Sequence, residues 1–513
     1  MGDSQMVEAV QPGLGTIPGS VDEDASRWLG LGYTSLFIGL ITLVSIELAT
    51  PSPLWLHALW CGAMSVAISA RLMSSARHGV GVLLTNHRIV FAAAFFMYFV
   101  LGASIFLFPS IAPAARLVVG YPITVADVLF VDAANSIGFG IALLVSVLLP
   151  SRGAYRMSEG IASELRRLPA PAVIGAFIVV GAAASVVVGL TDLGIGPRLV
   201  AGAWRTMADL ALVGVFLSLS YRGKGGRMLA IGALALVVVQ SGVGLLLFNK
   251  TRILLPVGAA LLGLASKRGS WKPIVVGMLV IAVSFSMLGS LVTFARNTFP
   301  RDGSGDILAA RVEVLQRGVS GGIDSGPAAS YSGWSRICYV PEQNAARVLY
   351  ESGNGGDDIR VLPWVLVPRA LVPSKPIITS AGPAFYKVVS GNPFGRSASS
   401  PGVLMGGYYS GGWVGLILVS MAAGAILAFT SAVARAAVRQ RSVAMLPIAF
   451  LGVMIAFRID GHFVADYVGR AVYVVYAVAI LGLVRMAVAP RDRDRQSLPD
   501  GLRPESVEVR GNR

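Results

Sequence analysis

The chain predicts an all-α polytopic membrane protein of about twelve transmembrane helices, with one long, partly helical external loop between the ninth and tenth. Composition is the first reason. Of 513 residues, 55% are hydrophobic and 13% are charged, and mean hydropathy is +0.70; a soluble domain carries about 25% charged residues. The second reason is a series of apolar runs of about 20 residues, the length that crosses a bilayer as a helix. The alternation that a transmembrane barrel needs is absent. The third is the placement of Lys and Arg, which falls on one side of the membrane in such a topology.

Taken in order, residues 1–29 are polar, carry Asp22, Glu23 and Asp24, and read as a disordered cytoplasmic N-terminus with no cleavable signal peptide. Residues 30–295 hold helices 1 to 9, expected over the runs 30–49, 54–72, 89–109, 126–149, 171–190, 199–220, 228–248, 253–266 and 273–295. Run 253–266 is short and reads as a crossing or as a tilted, half-buried element. Residues 296–402 form the external loop. Helices 10 to 12 are expected within 403–488, over 403–433, 443–458 and 468–488, and residues 489–513 form a basic cytoplasmic tail.

The basic residues set the orientation. Arg71, Arg77 and Arg88 lie at or between the second and third runs, Arg152, Arg156, Arg166 and Arg167 follow the fourth, and Arg222, Lys224 and Arg227 follow the sixth. Lys267, Arg268 and Lys272 follow the eighth, Arg435, Arg439 and Arg441 close or follow the tenth, and Arg485, Arg491, Arg493 and Arg495 close or follow the twelfth. All share one side if both termini are cytoplasmic. The loop 296–402 is then external.

Net charge is +15. The excess reads as this bias plus a basic tail, or as contact with anionic lipids and phosphates. Nucleic-acid binding is not expected, because the bases are dispersed over loops without an aromatic-basic face. Cys61 and Cys338 are predicted at different depths, so no disulfide framework is expected. His57, His78, His87 and His462 are scattered, no metal-ligand cluster or cofactor motif is visible, and no Walker or dinucleotide fingerprint occurs in a strand–helix context.

The informative stretch is 360–415. Seven prolines stiffen it, and Arg360, Arg369, Lys375, Lys387 and Arg396 stand between them. A rigid loop bearing cations suggests capture of an anion at the membrane surface. Arg252, in the external turn Asn249-Lys250-Thr251-Arg252, breaks the orientation bias; it either snorkels at a helix end or is aimed at a phosphate. Arg296, at the end of the ninth run, carries the same two readings. Several guanidiniums in one pocket suit a pyrophosphate, since each is a planar fork of donors. Arg205 and Asp209 lie at i and i+4 and are expected to pair; Asp132 and Asn135 also fall inside an apolar run. Around the last external loop, FRIDGHFVADYVGR, the residues Asp460, His462 and Asp466 are candidates for a catalytic base, with Asp324 and Glu342 of the long loop as further acids.

LFNKTRILLPVGAALLG, VPRALVPSKP and GVLMGGYYSGGWVGLILVSMAAGAILA, in that order over residues 245–430, resemble segments of bacterial Wzy-type oligosaccharide repeat-unit polymerases, which are related to O-antigen ligases. The resemblance implies a GT-C-like, metal-independent membrane glycosyltransferase without cofactors in the bacterial cytoplasmic membrane. Its substrate would be an undecaprenyl-diphosphate-linked oligosaccharide, and a chain-length regulator protein an accompanying partner. Arg252 and Arg369 carry over by position as diphosphate-binding residues, accompanied by Lys375; Arg296 and Arg396 are added from location. The chain departs from the resemblance at Met405-Gly406-Gly407, where related proteins often carry an acid, and no histidine occurs in the long loop, unlike the ligases. The alternatives are a ligase-like glycan transferase and a polysaccharide or lipid-linked sugar transporter; no internal repeat supports the latter.

Overall fold

The computed structural model describes residues 21–48, 53–108, 122–149, 152–165, 167–193, 202–281, 307–320, 337–357, 359–365, 374–376, 381–391, 398–440 and 442–496, with a few isolated positions besides. Among them every regular element is helical. Nine helices in this set are long and apolar enough to cross a membrane: α1 Ala25–Leu48, α2 Leu54–Ala76, α3 His87–Leu107, α4 Val125–Leu148, α5 Ala170–Asp192, α6 Gly226–Leu246, α7 Gly402–Arg439, α8 Val443–Asp460 and α9 Phe463–Val488. The chain is thus a helical protein of membrane-spanning character.

Three expected spans are not among these nine. Run 199–220 is two helices, Gly202–Asp209 and Ala211–Ser220, separated by a turn at Leu210. Every residue of the second is buried, so its hydrophobicity serves a protein core rather than a lipid face. Run 253–266 lies in the helix Lys250–Arg268, which contains Pro256 and carries Lys267 and Arg268 in its last turn. Of 273–295, the apolar helix Lys272–Ile281 is described and most of the remainder lies outside the described residues.

Helix α4 is the centre of the bundle. A capping box starts it: the Thr124 hydroxyl accepts from the Asp127 amide at 3.2 Å, and the Asp127 carboxylate accepts from the Thr124 amide at 2.8 Å. It packs against α1 and α7. Backbone approach to α1 is close, because a Cβ on Gly39 would lie 2.9 Å from the Ala133 carbonyl and one on Gly140 would lie 2.8 Å from that of Gly32. With no hydrophobic drive between helices in lipid, such small-residue contacts are what hold them together.

Helix α7 is not one rod. Gly411 and Gly412 leave helical geometry, Gly412 at φ +61° and ψ −145°. A Cβ on Gly407 would lie 2.7 Å from the Gly415 carbonyl, whereas eight residues of continuous helix rise about 12 Å. The arm 402–410 therefore folds back along the arm 413–439, which alone is long enough to span a bilayer. The apolar run 403–433 reads as one span because hydropathy does not register a reversal made by two glycines.

Contacts sort the connections to two ends. At one end, Arg27 donates to Ser74 at 3.0 Å, Trp271 to the Ala76 carbonyl at 2.8 Å, Arg439 to Tyr155 at 3.0 Å, and Arg485 pairs with Glu164 at 3.2 Å. At the other lie Asp127, Asp192, Arg252, Tyr339 and Asp460. The long loop is built into this second end. Its helix Val340–Glu351 is buried from Val340 to Ala346, and helix Ala381–Ser390 packs Phe385 and Val389 onto Ala345, Ala346 and Leu349. Cys338 belongs to the main core, and both cysteines are buried and free.

Candidate functional site

A cavity of about 730 Å³ opens among α5, the broken pair Gly202–Asp209 and Ala211–Ser220, α6, helix Lys250–Arg268 and the start of α9. Its wall runs from Ile178 and Leu236 deep in the bundle to Arg205, Asn249, Arg252 and Arg470 at the end. It is therefore mainly apolar along its length, with Ser185, Gln240 and Asp209 as polar wall residues, and cationic at its mouth.

Local structure explains how Arg252 arrives there. The turn after α6 passes through Phe248 at φ +53°, the only non-glycine residue with positive φ among those described. That conformation costs about 1–3 kcal/mol and persists only where the surroundings hold it. Phe248 is buried, and the Arg311 guanidinium lies 5.3 Å over its ring while donating to the Leu246 carbonyl at 2.9 Å. Asn249 then caps the next helix, accepting from the Arg252 amide at 3.2 Å. The helix N-terminus, with its partial positive charge, thus faces the cavity.

Arg252 is not free in it. Its guanidinium meets Asp192 Oδ2 at 2.7 Å, and Arg205 meets Asp192 Oδ1 at 2.7 Å. Asp209, expected to pair with Arg205, instead accepts a hydrogen bond from Tyr473 at 2.7 Å. The i,i+4 reading fails because Asp192, at the end of a neighbouring helix, competes for the same guanidinium. Arg470 lies 5.4 Å over the Tyr473 ring, and its buried Nε has no partner among the described residues.

Asp460, His462 and Asp466 do come together, but not in the wall of this cavity. Arg458 pairs with Asp466 at 3.0 Å and with Asp460 at 3.6 Å. Tyr339 of the long loop donates to Asp460 at 3.3 Å, and the His462 amide donates to Asp466 at 3.0 Å. The His462 ring, almost fully buried, meets the Ser399 carbonyl through Nε2 at 3.0 Å. Ser399 Oγ donates to Glu342 at 3.2 Å. Burial pushes the Glu342 carboxyl up to about 7, and its second oxygen has no partner among the described residues. Burial and the nearby Asp460 carboxylate raise the Tyr339 phenol well above its ordinary range. This network ties the turn between α8 and α9 to the loop 296–402.

Lys375 donates to the Val367 carbonyl of its own loop at 2.7 Å and is not in the cavity wall. Arg296, Arg369 and Arg396 lie outside the described residues. The two polar residues flagged inside α4 are both engaged: Asp132 pairs with His57 at 2.6 Å, and the Asn135 amide hydrogen-bonds that of Gln343. Sequence reasoning missed Asp192, Arg311, Gln240 and Tyr473. For Asp192 a signal existed, since an acid at a helix C-terminus opposes the helix dipole and calls for a cation. No family model, curated protein or solved structure matches the chain.

Proposed function

We propose that this protein is a membrane glycosyltransferase that polymerises undecaprenyl-diphosphate-linked oligosaccharide repeat units on the outer face of the bacterial cytoplasmic membrane. The observation that carries the reading is the cavity with Arg205, Arg252 and Arg470 at its mouth and an apolar wall reaching back to Ile178 and Leu236. An amphipathic ligand with an anionic head and an isoprenoid tail matches that division.

In this reading the broken pair Gly202–Asp209 and Ala211–Ser220, helix Lys250–Arg268 and the segment beginning Lys272–Ile281 supply three further crossings, twelve in all and GT-C-like in arrangement. An even number keeps the basic turns and both termini on the cytoplasmic side, as the Lys/Arg bias requires. The cavity mouth is then exoplasmic, where lipid-linked repeat units are joined, and a chain-length regulator docks from the same membrane.

The chemistry needs charge stabilisation, a base and exclusion of water. The bond from the sugar anomeric carbon to the diphosphate breaks, and the diphosphate leaves with the electron pair. Arg252, Arg205 and Arg470 stabilise the charge that develops on it, aided by the helix N-terminus at Asn249. The acceptor hydroxyl oxygen forms the new bond, and its proton passes to Asp209, a carboxylate of the cavity wall with no ion pair among the described residues, which Tyr473 holds in place. The Asp460–His462–Asp466 network positions the chain that presents Arg470. The ion pairs of both acids with Arg458 favour this role over that of base.

The test is reconstitution. Purified protein with an undecaprenyl-diphosphate oligosaccharide yields a ladder of extended glycans. No extension with any lipid-diphosphate oligosaccharide supplied, or extension equal to wild type in Arg252→Ala, would overturn the proposal.

A further inference from the structure

We infer that Asp192 is a built-in counter-anion, occupying the anion seat of the cavity until a diphosphate displaces it and so setting which anions can enter. The inference rests on the reading of the cavity as a lipid-diphosphate site.

The geometry is specific. The carboxylate spans two guanidiniums from different elements, Oδ1 on Arg205 and Oδ2 on Arg252, each at 2.7 Å. Two oxygens held by two guanidinium forks is also how a phosphate edge is bound. Asp192 is the last residue of α5, where the helix dipole is negative and repels a carboxylate. Its own helix therefore does not hold it, and the two arginines do. The trio is also reachable: the Arg205 side chain is 55% exposed, that of Arg252 32% and that of Asp192 17%. An incoming anion can thus exchange with the carboxylate without unfolding anything around it.

The exchange selects by charge. A carboxylate or singly charged phosphate ester offers the arginines no more than Asp192 already does. A diphosphate carries more charge on more oxygens, and it can engage Arg470 as well, which lines the same cavity. Arg311 lies within electrostatic range of Asp192 and adds to the field. Asp192 thereby makes binding conditional on a second phosphoryl group.

Calorimetric titration of the full chain in detergent micelles tests this, with inorganic pyrophosphate, inorganic phosphate and undecaprenyl diphosphate as separate probes. In Asp192→Asn, pyrophosphate binding is expected to tighten about tenfold, and its preference over phosphate to shrink. Arg205→Ala leaves Asp192 wholly on Arg252 and weakens binding. The charge-conserving double variant Asp192→Asn/Arg205→Ala regains it, and carries the test if the single Asn variant fails to fold. Unchanged or weaker pyrophosphate binding in Asp192→Asn, or no recovery in the double variant, overturns the inference. If binding still depends on Arg252 in those cases, the diphosphate site stands and only the counter-anion is lost. If no probe binds in an Arg252-dependent way, the reading of the cavity fails with it. Tightening seen with pyrophosphate but not with undecaprenyl diphosphate would assign the seat to a free anion rather than to a lipid headgroup.

Discussion

The side-chain amides of Asn135 and Gln343 hydrogen-bond each other in both directions, at 3.0 and 3.1 Å, with both residues buried. One belongs to a membrane-spanning helix and the other to the long loop, so the loop is locked into the bundle by a polar pair with no water to replace it. Gln343→Leu leaves the Asn135 amide without a partner and is expected to lower stability by about 1–3 kcal/mol. Asn135→Leu with Gln343→Leu is expected to fall closer to wild type than either single variant. Thermal unfolding in detergent of the three variants checks this; additive losses would show that the two amides do not act as a pair.

The reversal in α7 makes a second prediction. A Cβ on Gly412 would sit 2.7 Å from the Tyr350 ring, and the residue has positive φ. Gly412→Ala meets both obstacles and is expected to cost about 1–3 kcal/mol. Gly406→Ala, whose added Cβ would lie 3.9 Å from Pro401 Cγ, is expected to be tolerated. Equal melting temperatures for the two variants would contradict the broken-helix geometry.

Glu342 gives a pH dependence. Its carboxyl titrates near 7 when folded and near the ordinary 4.5 when unfolded, because burial disfavours the charge. Between those values the folded chain holds a proton that the unfolded chain has released, so stability falls as pH rises from about 4.5 to about 7. Glu342→Gln removes that loss. It is expected to match wild type at pH 4.5 and to exceed it above pH 7, by on the order of 3 kcal/mol. A variant no more stable than wild type at high pH would refute the buried carboxyl.

Under the proposed function, Arg252→Ala and Arg470→Ala lose donors from the developing charge. Each is expected to lower ladder synthesis by roughly 10²–10³-fold. His462→Ala and Asp460→Asn act through packing and are expected to lower melting temperature as well as rate. A catalytic loss in His462→Ala at unchanged stability would return the base to that network.

Asp209→Asn keeps an acceptor for Tyr473 while removing the proton acceptor of the cavity. The expected result is a fall of roughly 10²–10⁴-fold in kcat with KM little changed, read by initial rates of extension across pH. Retention of wild-type kcat would exclude Asp209 as the base.

Much of the architecture is legible in the order of the residues. Among the described residues nine of the apolar runs are membrane-length helices, Arg252 lies in the first turn of a helix at the mouth of a cavity, and Asp460, His462 and Asp466 meet. Hydropathy and proline spacing are properties of neighbours along the chain, and the solvent acts on them directly. What the linear order could not contain was Asp192 between Arg205 and Arg252, Tyr473 on Asp209, Gln343 on Asn135, and the fold-back at Gly412. Each depends on which helices lie side by side, and a membrane-length run of apolar residues carries little information about its neighbours. Residue chemistry alone determined that this chain is helical and membrane-embedded and that its charges gather at helix ends. Only tertiary packing decided which opposite charges meet and which of them face a common cavity.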